Sequence, residues 1–294
     1  MYQLNDKEIE KYWKEGFLYP IPLFSEQEAF NLRLRLEEIE KKYSNNKDLP
    51  YPINQYKRVN SQCVIPLAGE IALNENILDI VEKIIGPDIL LWSVEFFIKE
   101  AKSKSIVSMH QDLTYWGLDD DQMQVTAWLA LSLSDQNSGC MEFVKGSFKN
   151  PILPHNDTFE QNNLLSRGQE IELPIKDDEK TKIILNPGEI SLHHGLTIHG
   201  SGPNVSNDRR IGVAIRYLNP EIKQIHAKKD YAILARGKDR YNNFIKYDSA
   251  KDLFSKNELK LYDTMRKYQA AALTRNSKKG IDLYQGNDGV DTPI

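Results

Sequence analysis

His110 and Asp112 stand two positions apart in the run Val107-Ser108-Met109-His110-Gln111-Asp112-Leu113. On an extended strand side chains repeat every two residues, so this spacing turns an imidazole and a carboxylate to one side, where both can ligate one metal. A third ligand must come from elsewhere. The segment 187–204 supplies it, with His193, His194 and His199 as candidates. Two imidazoles and one carboxylate on one face of a metal leave the other face open, which is the facial triad of non-heme Fe(II) oxygenases.

An open iron face takes a co-substrate and oxygen. A planar, permanently charged guanidinium suits the distal carboxylate of a keto acid, since it makes two parallel charge-assisted hydrogen bonds. Arg209 and Arg210 compete for that role ahead of the apolar run Ile211-Gly212-Val213-Ala214-Ile215. Adjacent strand residues face opposite ways, so only one of the two arginines enters a pocket, and only one of His193 and His194 points inward. Ser201 offers a hydroxyl to the same carboxylate, although Gly200-Ser201-Gly202-Pro203-Asn204 also reads as a tight turn.

The elements that must position these groups follow from periodicity and punctuation. A short amphipathic helix is expected from Asn5 to Glu15, stopped by Gly16, with Phe17-Leu18-Tyr19 entering a strand. Ser25 and Glu28 form a capping box ahead of Ala29, Leu32, Leu36 and Ile39 at helical spacing. A third helix runs through Ile77–Ile85 to Gly86-Pro87. Beyond it come short β-branched and aromatic runs: 89–98, 107–113, 125–133, 141–144, 183–185, 189–192 and 211–218. Strands at this spacing, with Gly, Pro, Asn and Asp between them, indicate a sandwich or barrel. The fold class is mainly β with flanking helices around a double-stranded β-helix, a cupin-like jelly roll. Residues 150–182 read as a long polar insertion of the kind that covers a site. Residues 258–275 return to helical spacing.

Several segments together resemble the phytanoyl-CoA dioxygenase family. They are His110-Gln111-Asp112, Val125–Leu131, Gly139-Cys140-Met141, Gly146-Ser147-Phe148-Lys149, and His199-Gly200-Ser201-Gly202-Pro203-Asn204 through Arg210, in that order. The resemblance runs from the first helices to about Pro220. It implies Fe(II) held by His110, Asp112 and His199, and 2-oxoglutarate anchored by Arg210. Trp128 is similar to a family residue that lines the co-substrate pocket, and Lys57 or Arg58 stands where members carry a basic residue near it. The implied reaction uses 2-oxoglutarate and O2 to hydroxylate an unactivated carbon of a small metabolite, releasing succinate and CO2. The same iron chemistry can end in desaturation, cyclisation or epimerisation, which the sequence does not separate. A non-catalytic jelly-roll binding protein would need neither an open iron face nor a keto-acid anchor. Related halogenases carry Gly or Ala in place of Asp112, so its carboxylate argues against chlorination.

At 294 residues the chain suits one large dioxygenase domain. Its expected parts are helices over about 5–86, a jelly-roll core over about 89–220, a helical segment over about 221–276 and a loose tail to 294. A net charge of −4 argues against binding nucleic acid through phosphate neutralisation. No run of about 18 apolar residues could cross a bilayer, so a cytoplasmic protein without a membrane partner is expected. Cys63 and Cys140 are too few for a disulfide framework and are expected to be reduced.

Overall fold

The computed structural model describes residues 2–44, 49–119 and 122–273. The tail expected to reach residue 294 lies outside them. The structure is mainly β with flanking helices, and its contacts divide it into two units that interleave along the chain. One takes in the described residues of Met1–Phe30, Phe97–Thr114 and Val125–Val213, the other those of Asn31–Phe96, Tyr115–Gln124 and Ala214–Ile294.

The first unit opens with the helix Asp6–Glu15. Asn5 and Glu8 cap each other reciprocally at its start, and Gly16, at φ 87°, ends it in the left-handed conformation that costs glycine little. The Gly16 carbonyl then accepts hydrogen bonds from the His194 amide (2.9 Å) and the Thr197 hydroxyl (2.8 Å), which seats the loop leading to His199. Two sheets of a jelly roll follow, paired antiparallel. The first orders Phe17–Pro22, Glu189–His193, Gln124–Ala130 and the start of Arg210–Leu218. The second orders Val107–His110, His199–Ser201, Met141–Val144 and Lys180–Ile183. Every residue of Gln124–Ala130 is buried, the polar Gln124 and Thr126 included.

In the second unit the strand order is Arg210–Leu218, Ile89–Lys99, Tyr231–Arg236 and Ile245–Lys246. The helix Glu75–Ile85 is capped by Asn74, buries Ile77, Leu78, Ile80, Val81, Ile84 and Ile85, and stops at Gly86. Short helices Ile53–Arg58 and Pro66–Ala72 and the long helix Lys256–Leu273 complete this unit.

Three local expectations differ from what forms. The strand carrying the His-x-Asp pair ends at His110 rather than reaching Leu113, because the Thr114 amide closes a turn onto the Gln111 carbonyl and Leu113–Trp116 is helical. The polar insertion contains a ribbon, His155–Asp157 paired with Gln169–Ile171. Within residues 221–276 the strands Tyr231–Arg236 and Ile245–Lys246 precede the helix.

Candidate active site

The pairing of Val107–His110 with His199–Ser201 sets His199 opposite His110, and the turn after His110 brings back Asp112. One ligand atom from each of His110, Asp112 and His199 lies within 4.8 Å of the others, and all three residues are buried. His110 Nδ1 donates to the Ser108 carbonyl at 2.9 Å, and His199 Nδ1 donates to the Thr197 carbonyl at 2.9 Å. Each hydrogen bond occupies Nδ1 and leaves Nε2 as the atom that can turn to a metal. His110 Nε2 is 3.2 Å from Asp112 Oδ1. Burial above all, then neighbouring His110, holds the His199 imidazole well below its ordinary pKa, in the neutral form that can ligate.

Gln111, between the two ligands, is fully buried and works through its amide. Its Nε2 donates to the carbonyls of Leu196 (3.0 Å) and Pro151 (3.3 Å), and its Oε1 accepts from the Leu153 amide at 2.8 Å. This ties the turn from His110 to Asp112 both to the loop before His199 and to the start of the insertion. His155 is half-buried there rather than exposed, and its Nε2 accepts the Gln111 amide at 3.1 Å.

The tandem histidines part as strand alternation requires. His194 packs against Phe148, with ring centroids 5.1 Å apart. His193 faces the triad, its ring 4.9 Å from that of His199 and its Nε2 3.9 Å from Asp112 Oδ2. It lies opposite Thr126 on the neighbouring strand, and Ser191 lies opposite Trp128, so these four side chains share one face. The Thr126 and Ser191 hydroxyls are buried and find no hydrogen-bond partner among the described residues.

That face leads from the triad to Arg210. The Arg210 guanidinium sits 5.4 Å from the Trp128 ring, and its Nη1 donates to the Gly139 carbonyl at 2.6 Å. Arg210 is 1 % exposed, its Nε has no partner, and burial pulls its pKa down to about 10, still charged at neutral pH. Leaving a buried cation half-satisfied is costly unless an anion completes it. Arg209 points the other way, into an ion pair with Glu100 at 2.9 Å.

Lys99, at the end of Ile89–Lys99, escaped sequence reasoning. Its fully buried Nζ lies 2.6 Å from the Ser201 hydroxyl and donates to the Ser201 carbonyl at 3.2 Å and to the Gly202 carbonyl. Ser201 ends the strand His199–Ser201 of the first unit with its hydroxyl against Lys99. Lys57 belongs to the second unit, where it is buried and ion-paired with Glu40. Trp116, also in that unit, packs on Trp92 with centroids 5.3 Å apart and beneath the Arg216 guanidinium.

A donor set of two imidazoles and a carboxylate, beside a buried cation and two hydroxyls with open hydrogen-bonding capacity among the described residues, fits a divalent iron and a dicarboxylic keto acid. Comparison with known proteins points the same way. The family model described as phytanoyl-CoA dioxygenase (PhyH) matches residues 12–212. The chain is 27% identical over 155 residues to the peroxisomal phytanoyl-CoA dioxygenase of Rattus norvegicus, covering 52% of this chain and 46% of that protein. It is 30% identical over 147 residues to a probable alpha-ketoglutarate-dependent hypophosphite dioxygenase of Stutzerimonas stutzeri, covering 49% and 50%. The chain thus spans about half the length of these curated relatives. Among solved structures it is similar to ThoJ, a non-heme monooxygenase, in its apo form. The TM-score is 0.81 at 27% identity, covering 91% of this chain and 97% of that one.

Proposed function

The chain belongs to the phytanoyl-CoA dioxygenase family, and from that premise we propose that it is an Fe(II)- and 2-oxoglutarate-dependent dioxygenase that hydroxylates an unactivated carbon of a small metabolite. The observation that carries this reading is the convergence of His110, Asp112 and His199 beside a buried, half-satisfied Arg210. Bound iron and 2-oxoglutarate would supply the oxidation, with decarboxylation to succinate and CO2 coupled to attack on a C–H bond.

The protein's own share is positioning and electrostatics. His110 and His199 would hold the iron through Nε2, because their Nδ1 atoms are engaged by the Ser108 and Thr197 carbonyls. Asp112 supplies the anionic ligand and fills the position a halide would need. Arg210 takes the distal carboxylate of the keto acid, with Trp128 fixing the plane of the guanidinium and Ser201 adding a hydroxyl. Thr126 and Ser191 are available to the oxygens between the two ends. Lys57 is satisfied by Glu40, so the co-substrate is assigned to Arg210 and Ser201.

The test is succinate formation by the Fe(II)-loaded protein with 2-oxoglutarate and O2, screened across candidate metabolites. A metabolite that raises succinate release and gains one oxygen atom supports the reading. Absence of succinate with every metabolite, together with no binding of 2-oxoglutarate, would sink it. Product mass separates hydroxylation from desaturation, cyclisation and epimerisation.

A further inference from the structure

Lys99 Nζ meets three oxygens, of which the Ser201 and Gly202 carbonyls can only accept while the Ser201 hydroxyl can accept or donate. An ammonium has three protons and donates to all three oxygens, which frees the Ser201 proton to bond elsewhere. A neutral amine has two protons. It gives both to the carbonyls and takes the Ser201 proton onto its lone pair. The form of Lys99 therefore decides which way the Ser201 O–H points.

The same turn forms a wall with Arg210. A side chain on Gly139 would lie 2.4 Å from the Gly202 carbonyl oxygen and 2.6 Å from that of Pro203, so this backbone lies directly under the turn that Lys99 grips. Arg210 holds the other side of it through the Gly139 carbonyl. The groups whose charge bears on Lys99 are Arg210, which opposes its protonation, and Cys140 and Glu142, which favour it. Burial is the largest influence, and it pulls the ammonium down to about 6. A carboxylate laid against Arg210 reverses this balance.

We propose that Lys99 is a positioning residue for the keto acid: taking up a proton from solvent as the co-substrate binds, it makes Ser201 an acceptor and turns the Ser201 O–H onto the carboxylate held by Arg210. This rests on the reading of Arg210 and Ser201 as the keto-acid anchor. It follows that binding consumes a proton, so affinity falls as pH rises above about 6, by at most about tenfold per unit.

The experiment is calorimetric titration of 2-oxoglutarate into the Mn(II)-loaded protein between pH 6 and 9, with Lys99→Met, Ser201→Ala, their double variant and Arg210→Ala. Lys99→Met should bind roughly tenfold to a hundredfold more weakly at pH 6.5 and lose most of the pH dependence, the worth of a hydrogen bond to a charged group. In the Ser201→Ala background the same substitution should cost clearly less. Equal affinity in wild type and Lys99→Met, or an undiminished effect without Ser201, overturns the proposal. Should Lys99→Met fail to fold, Ser201→Ala alone must flatten the pH profile, and an unchanged profile overturns it. The anchor reading fails separately, if wild type takes up no 2-oxoglutarate or Arg210→Ala binds it as well.

Discussion

His199 lies opposite His110 across an antiparallel strand pair, with ring centroids 4.2 Å apart. Each ring turns its Nδ1 onto the carbonyl two residues earlier in the chain. Two distant stretches of sequence thus present matched nitrogen lone pairs to one point, and Asp112 completes the set. The geometry is built from backbone register.

Metal affinity should follow that division of labour. Alanine at His110, Asp112 or His199 removes a ligand atom and should abolish Mn(II) binding in calorimetry. His193→Ala removes a ring whose Nε2 lies 3.9 Å from Asp112 Oδ2, and should weaken binding by roughly tenfold, as loss of an outer partner does. Retained affinity in His199→Ala with loss in His193→Ala would exchange the two assignments.

For 2-oxoglutarate the contrast lies between adjacent arginines. Arg210→Ala leaves the distal carboxylate buried without its partner, at about 3 to 5 kcal/mol, so binding should weaken by at least about two orders of magnitude. Arg209→Ala breaks a partly exposed pair with Glu100 and should change binding little. Arg210→Lys should rescue partly, because an ammonium carries the charge without the planar fork. If titration places the loss at Arg209, the assignment of the pocket fails.

How much of this was legible in the sequence depends on whether the signal was local. The Ser25-Glu28 capping box and the parity of His193-His194 and Arg209-Arg210 are short-range patterns, and each is present in the structure, whereas a turn after His110, not strand alternation, brings Asp112 to it. Parity could not say which of the tandem histidines points inward. The register with Thr126 decides that, and it is a contact between distant strands. Lys99 ends an apolar run and so looks like a strand leaving the core. Its burial comes from the Ser201-Gly202 turn, about a hundred residues away, closing over it. The helices Ile53–Arg58 and Pro66–Ala72 are too short for helical periodicity to register.

Gly212 tests whether the platform beneath Arg210 matters. A Cβ at this position would lie 1.8 Å from Trp128 Cζ2, so Gly212→Ala must push the indole out of place. Overpacking of this kind costs about 1 to 3 kcal/mol of stability. Because the Arg210 guanidinium rests over that ring, 2-oxoglutarate binding should weaken as well. A variant with unaltered 2-oxoglutarate affinity would show that Trp128 is core packing alone. Gly202→Ala, where an added methyl meets nothing within 4 Å, is the matched control.

Lys99 should also leave its mark on stability without any ligand. Burial first, then the Arg210 charge, lowers its pKa to about 6 in the folded protein, whereas an unfolded lysine titrates near about 10.4. Between those values the unfolded chain binds more protons than the folded one, so the contribution of Lys99 makes the protein more stable as pH rises. The slope is at most about 1.4 kcal/mol per pH unit and vanishes below the folded pKa, where both states are protonated. Urea unfolding of wild type and Lys99→Met from pH 6 to 9 isolates this, since all other groups are shared. The stability difference between the two should move steadily in favour of wild type as pH increases. A difference that stays constant over this range would mean that Lys99 remains an ammonium in the empty site, and that Ser201 is held as an acceptor whether or not the keto acid is bound.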